Sequence, residues 1–234
     1  MKILKQILKA NGKKGVAQGS ALSPLLSNIY LSRIDHMFET AVRETARRGY
    51  QQIEYCRFAD DMVILINGHP ALAWLVDKTL KRLRQELGRL RVAINKEKTR
   101  IVNLEEGETF NFLGFEYRRV KHKNGIMVLI RPRKKKVQEL IEKVRNHISR
   151  NRFKAVIDMV RGLNLILRGW TNYFRIGHSS KVFNFIRQWV EKKVRRFVRK
   201  SQGRKGFGWK EWDSKVIYEG WGLYNDYRIR YYQT

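Results

Sequence analysis

The 234-residue chain carries 50 Lys and Arg against 21 Asp and Glu, a formal net charge of +29, so the expected partner is a polyanion. It has no run of 18 or more apolar residues, which excludes a membrane-spanning helix. The single cysteine, Cys56, excludes an intramolecular disulfide and a Cys-based zinc finger.

The charge is uneven: residues 1–130 hold 23 basic against 13 acidic side chains, and residues 131–234 hold 27 against 8. A hydrophobic fraction of 43% is enough for a true core. The amino terminus, MKILKQILKANGKKG, lacks the continuous apolar core and small-residue cleavage site of a signal peptide. An intracellular, cytoplasmic protein with no membrane partner is expected.

Ser23-Pro24 is a helix start, with Leu25, Ile29, the Arg33/Ile34 pair, Met37, Phe38 and Val42 following at helical spacing to about Arg47. The glycine-bearing loop GVAQGSALSP just ahead of it could offer backbone N–H groups to a phosphate, although such loops open many helices. Ile53–Phe58 and Met62–Ile66 read as two short strands around Ala59-Asp60-Asp61. A tight hairpin prefers Asn-Gly or Asp-Gly at its tip. Here two carboxylates stand side by side, which is either turn decoration or a site for a divalent cation.

A long amphipathic helix over about Ala71–Arg91 follows, with Leu75, Leu80, Leu83 and Leu87 on one face. VAINKEKTRIVNL and ETFNFLGFEYRR are strand-like, giving an α+β order with helices on one face of a sheet. The five-charge block RPRKKK reads as a joint at residue 131. Beyond it three apolar periodicities, from Val137, Val156 and Phe183, predict a small basic helical domain. LRGWTNYFR interleaves aromatics and arginines as looped or single-stranded RNA requires, with some rings in the core and the arginines outside.

AQGSALSPLLSNIYLSRID, YCRFADDMVILI, INKEKTRIV and FNFLGFEYRR, in this order, resemble the later palm motifs of group II intron reverse transcriptases. LNLILRGWTNYFR resembles the thumb, or maturase, domain of the same proteins. The resemblance implies an α+β partial polymerase palm, an antiparallel sheet with covering helices, over 1–130. A basic α-helical thumb/maturase domain over 131–234 would follow it.

It also implies roles. Asp60 and Asp61 match the catalytic aspartates that hold Mg²⁺, while Gln18 and Gly19 match the loop against template and incoming nucleotide. Lys98 matches a basic position near the triphosphate. Phe112, Leu113, Gly114 and Phe115 match the hairpin supporting the primer end. Arg133, Lys134, Lys135, Lys136, Arg168, Trp170, Tyr173 and Arg175 fall in the segments expected to bind RNA. The implied partners are group II intron RNA and a template–primer duplex, with a DNA target as a further one.

A palm polymerase needs another metal-binding aspartate upstream of the Gln18-Gly19 loop, and the 17 residues before Gln18 contain no Asp or Glu. The chain is therefore expected to lack the fingers and first catalytic aspartate, and to depend on an amino-terminal half in trans for RNA-directed DNA synthesis. The alternatives are an RNA-binding maturase module without polymerase activity, and a decayed reading frame.

Overall fold

The computed structural model describes residues 22–47, 49–123 and 125–230. The chain forms two compact units that divide between Asn103 and Leu104.

The first unit contains α1 (Leu22–Thr45), an antiparallel hairpin of β1 (Ile53–Phe58) and β2 (Asp61–Ile66), a 3₁₀ turn at Pro70–Leu72 and α2 (Ala73–Arg89). Its core joins Leu31, Ile34 and Phe38 of α1 to Ile53, Leu75, Leu83 and Leu87. Alternation along the hairpin turns Ile53, Tyr55, Met62, Ile64 and Ile66 toward the helices.

The apolar face read from the sequence is too wide, since Leu25 and Ile29 are exposed. The reason is angular: at 3.6 residues per turn Leu25 and Ile29 lie about 140–180° round the helix from Ile34, on the face away from the core. INKEKTRIV is not a strand either. The side-chain oxygen of Asn95 accepts from the N–H groups of Glu97 (3.0 Å) and Lys98 (3.2 Å), closing a turn where a ladder would need those donors.

The second unit opens with a three-stranded antiparallel sheet of β3 (Thr109–Phe112), β4 (Phe115–His122) and β5 (Gly125–Pro132). Then come α3 (Lys134–Arg150), α4 (Val156–Phe174) and α5 (Ser180–Ser201), and a tail with one π turn at Val216–Gly220. The helical core contains Leu140, Val144, Met159, Leu163, Leu167, Ile186, Val190 and Val194. Phe115 on the sheet meets Phe174 and Phe183 in a second cluster that fastens the sheet to the helices.

The division expected at 130/131 therefore falls inside β5. Ile130 is tied from both its backbone groups to the loop after α4, donating to Nδ1 of His178 (3.2 Å) and accepting from the His178 N–H (2.6 Å). RPRKKK is accordingly no linker: Pro132 ends a strand and Lys134 begins a helix. Among the described residues no helix is long and apolar enough to cross a membrane.

Leu163→Ala, at a fully buried position, should destabilise the second unit by about 2–5 kcal/mol, while Leu165→Ala, 70% exposed, should change it by no more than about 0.5 kcal/mol. Urea denaturation followed by tryptophan fluorescence checks this, because five of the six tryptophans lie beyond residue 104.

Candidate functional site

The carboxylate pair sits where the sequence places it. Phe58 pairs with Asp61 across the hairpin, so Ala59 and Asp60 form a two-residue tip. Ala59 has φ +54°, the left-handed region that primed hairpin turns demand and glycine usually fills. A non-glycine residue there costs on the order of 1–3 kcal/mol, so the surrounding structure must hold it.

Arg57 does that holding. Its guanidinium turns inward, donates to the Ala59 carbonyl (2.8 Å) and to Asn28 Oδ1 (3.0 Å), and grips the Asp35 carboxylate on α1 through Nε (2.8 Å) and Nη2. Tyr55 also donates its hydroxyl to Asp35 (2.9 Å), and its ring stacks on Phe38 at 4.3 Å. The Arg57 hydrogen bonds hold the Asp35 carboxyl below its ordinary value, and burial pushes the Tyr55 phenol up.

These residues were missed in the sequence. The available signal was a charged residue, Arg57, on the same strand face as Ile53 and Tyr55. Cys56 lies on the opposite, exposed face with Phe58, Asp61, Val63 and Leu65.

Asp60 and Asp61 are both exposed and make no ion pair with any described residue. Their oxygens are the hard donors Mg²⁺ takes, which commonly binds one or two carboxylates and completes its shell with water and substrate phosphates. Among the described residues no group of three or more His, Cys, Asp or Glu side chains is assembled. The donors present thus suit a cation shared with substrate and not a closed protein cage.

Gln18 and Gly19, with the loop around them, lie outside the described residues. Lys98 is exposed in the Asn95 turn.

The second constellation lies within the second unit. Phe112 pairs with Phe115, and Leu113 (φ +49°) and Gly114 (φ +79°) form a tight turn with both central residues left-handed. The Leu113 carbonyl accepts from the Tyr173 hydroxyl (2.9 Å), and the Gly114 carbonyl accepts from the Arg133 N–H (2.9 Å). A cleft of about 280 Å³ results, lined by Leu113, Gly114, Lys136, Lys143, Trp170 and Tyr173. The fold thereby unites the expected primer-supporting hairpin with Lys136, Trp170 and Tyr173.

Arg133, Lys134 and Lys135 are exposed at the start of α3, whose first turn contains no acidic residue. Cations at a helix amino terminus oppose the backbone dipole. That cost is repaid when an anion binds there. Lys136 pairs with Glu139 (2.8 Å) and holds that carboxyl below its ordinary value.

Arg168 is exposed and Tyr173 half exposed, but Arg175 is turned inward. Its guanidinium lies 3.3 Å from both the Tyr224 hydroxyl and Asp226, so the expectation of outward arginines is corrected there. Trp170 packs against Phe174 and Phe183 with its N–H buried. Both serve the packing of the tail and the α4–α5 region.

The reverse transcriptase (RNA-dependent DNA polymerase) family model matches residues 5–117, and the group II intron maturase-specific domain model matches residues 137–215. Together the two matches support a group II intron reverse transcriptase/maturase. Protein YkfC of Escherichia coli (strain K12) is 29% identical over 141 residues, covering 50% of this chain. The match takes in 36% of that relative, so the chain spans well under half of its length. The Asp60-Asp61 turn and the Leu113-Gly114 turn fall within the reverse transcriptase match, and α4, α5 and most of α3 fall within the maturase match.

Because Asp35 is held below its ordinary pKa when folded, its pairing with Arg57 contributes fully above the unfolded carboxylate's pKa and fades as pH falls through the folded value. Asp35→Asn should therefore lower stability by about 1–3 kcal/mol at neutral pH. The difference from the parent should close in acid. Urea denaturation followed by circular dichroism across this range checks it; a gap independent of pH would mean the pair's charge is irrelevant.

Proposed function

We propose that this reverse transcriptase/maturase chain grips a template–primer duplex and intron RNA through the α3–α4 side of its second unit, and contributes Asp60 and Asp61 to RNA-directed DNA synthesis. The observation that carries the reading is the lysine-rich start of α3 set against its own helix dipole and joined through Arg133 to the Leu113-Gly114 turn. A duplex end supported by that turn would have its phosphates met by Lys134, Lys135 and the cleft lysines, while the exposed part of Tyr173 borders the same cleft.

Mg²⁺, held by Asp60 and Asp61, would supply charge stabilisation at the transferring phosphoryl group. The chain's own part is to fix those two carboxylates on a strained, arginine-braced turn, so that little reorganisation accompanies reaction. A third carboxylate, from an amino-terminal half in trans, completes the set. Residues 1–130 act as palm and 131–234 as thumb and maturase surface, so the functional division runs through the second compact unit. A DNA target would use the same basic surface, and the cytoplasm is the proposed location.

A second reading, an RNA-binding maturase without synthesis, is favoured because no third carboxylate is grouped with Asp60 and Asp61 among the described residues. Primer extension on an RNA template with Mg²⁺ separates the two. Synthesis by the parent and none by the Asp60→Ala/Asp61→Ala variant, with RNA affinity unchanged, supports the polymerase. Tight RNA binding without synthesis, alone and with an added amino-terminal half, supports the maturase module.

RNA affinity should fall steeply with salt as phosphate contacts release counterions. Replacing Lys134, Lys135 and Lys136 by Gln should weaken binding to different RNA sequences alike and reduce the log–log salt slope by about 2–3. A loss confined to one sequence would point to base readout instead.

A further inference from the structure

Phe153 is 88% exposed, in the turn between α3 and α4, while the rest of that turn is tightly built. The Asn151 side chain donates to the His147 carbonyl (2.7 Å), Lys154 N–H donates to the Asn151 carbonyl (3.0 Å), and Met159 N–H donates to the Ala155 carbonyl (3.1 Å). His147 in turn reaches the Met159 carbonyl at 2.9 Å, binding the two helices together beneath the turn. The ring is thus displayed on a fixed support. Burying a Phe is favourable by about 1.5–3 kcal/mol, and turns ordinarily take Gly, Asn, Asp or Ser. An aromatic ring kept here in water calls for a partner.

The surrounding chemistry narrows that partner. Arg152 lies over the ring with its guanidinium carbon 4.6 Å from the centroid, and Arg150 and Lys154 stand exposed on either side. The nearest carboxylate along the chain, Asp158, is paired with Arg161 (3.3 Å). A membrane would require a broader apolar face than Phe153 and half-exposed Ile157 provide. A π face backed by a cation and flanked by further cations fits a nucleobase stacked on the ring with its neighbouring phosphates on the arginines and lysine. Bases inside a duplex are already stacked, so the base must come from a loop, bulge or end.

We propose that Phe153 is a stacking platform for an unpaired base of the bound RNA, with Arg150, Arg152 and Lys154 taking the adjoining phosphates. The proposal rests on the RNA-binding reading above and adds a structural specificity to it: bulged or looped RNA over continuous duplex.

The test compares two RNA hairpins of equal length, one fully paired and one with a single-base bulge carrying 2-aminopurine. The proteins are the parent, Phe153→Ala, Phe153→Trp and the Lys134/Lys135/Lys136→Gln variant. Phe153→Ala should weaken binding to the bulged hairpin by about 5- to 100-fold, and binding to the paired one by less than about twofold, with the salt slope unchanged. Phe153→Trp should restore the affinity. The 2-aminopurine emission should change on adding parent and not on adding Phe153→Ala.

Equal losses on both hairpins, or no loss on either, overturn the platform. Retained salt-sensitive binding that weakens in the lysine variant would at the same time leave the RNA-binding reading standing. Absence of binding to both hairpins by the parent overturns that reading and the platform with it. The exposure of Phe153 means its variants should fold, and unchanged thermal unfolding checks that they do.

Discussion

Arginine held on a carboxylate is the interaction that organises this molecule. With 50 basic and 21 acidic side chains, compaction works against self-repulsion, and several of the scarce carboxylates are turned inward where each binds arginine. Asp35 takes Arg57 and Glu86 takes both Arg33 and Arg89. Glu116 takes Arg131, and Glu191 takes the buried Arg195. Each pairing joins elements or braces one, so the acids hold the fold while most of the cationic surplus faces water.

The Glu191–Arg195 pair shows how far this goes. Arg195 also donates to the Trp212 carbonyl (2.6 Å) and lies 4.1 Å from the Trp209 ring centroid, and Tyr218 donates to the other Glu191 oxygen (2.9 Å). One ion pair on α5 thereby gathers the aromatic tail over the helices. Asn164 adds a clamp, donating to the Gly222 carbonyl (2.7 Å) and accepting from the Tyr224 N–H (2.8 Å). Tail aromatics such as Trp212, Tyr218 and Tyr224 are in this way drawn into packing, whereas Phe153 in the α3–α4 turn stands in water.

Backbone strain marks both candidate sites. Ala59 and Leu113 adopt left-handed φ at the tips of the β1–β2 and β3–β4 hairpins, and each tip is braced by a side chain that donates to its carbonyl: Arg57 to Ala59, Tyr173 to Leu113. A strained turn supported in this way presents its neighbours in one orientation. Asp60 beside Ala59 and Gly114 beside Leu113 are the residues so presented.

The amino-acid sequence by itself determined the local features: a net charge that favours a polyanion, the Asp60-Asp61 tip from two short alternating runs, and three helices from their apolar periods. Those features are local, since alternation and 3.6-residue repeats need no distant partner to be read. Only the tertiary structure decided which of these groups act together. The Asp35 grip on Arg57 spans 22 residues and the Tyr173 bond to Leu113 spans 60, and neither has a periodic trace in the sequence. Burial likewise separated Arg175 from Arg168 and joined the sheet of residues 109–132 to the helices after it, because contacts such as Phe115 with Phe174 and Phe183 form between side chains that meet only once the chain has folded.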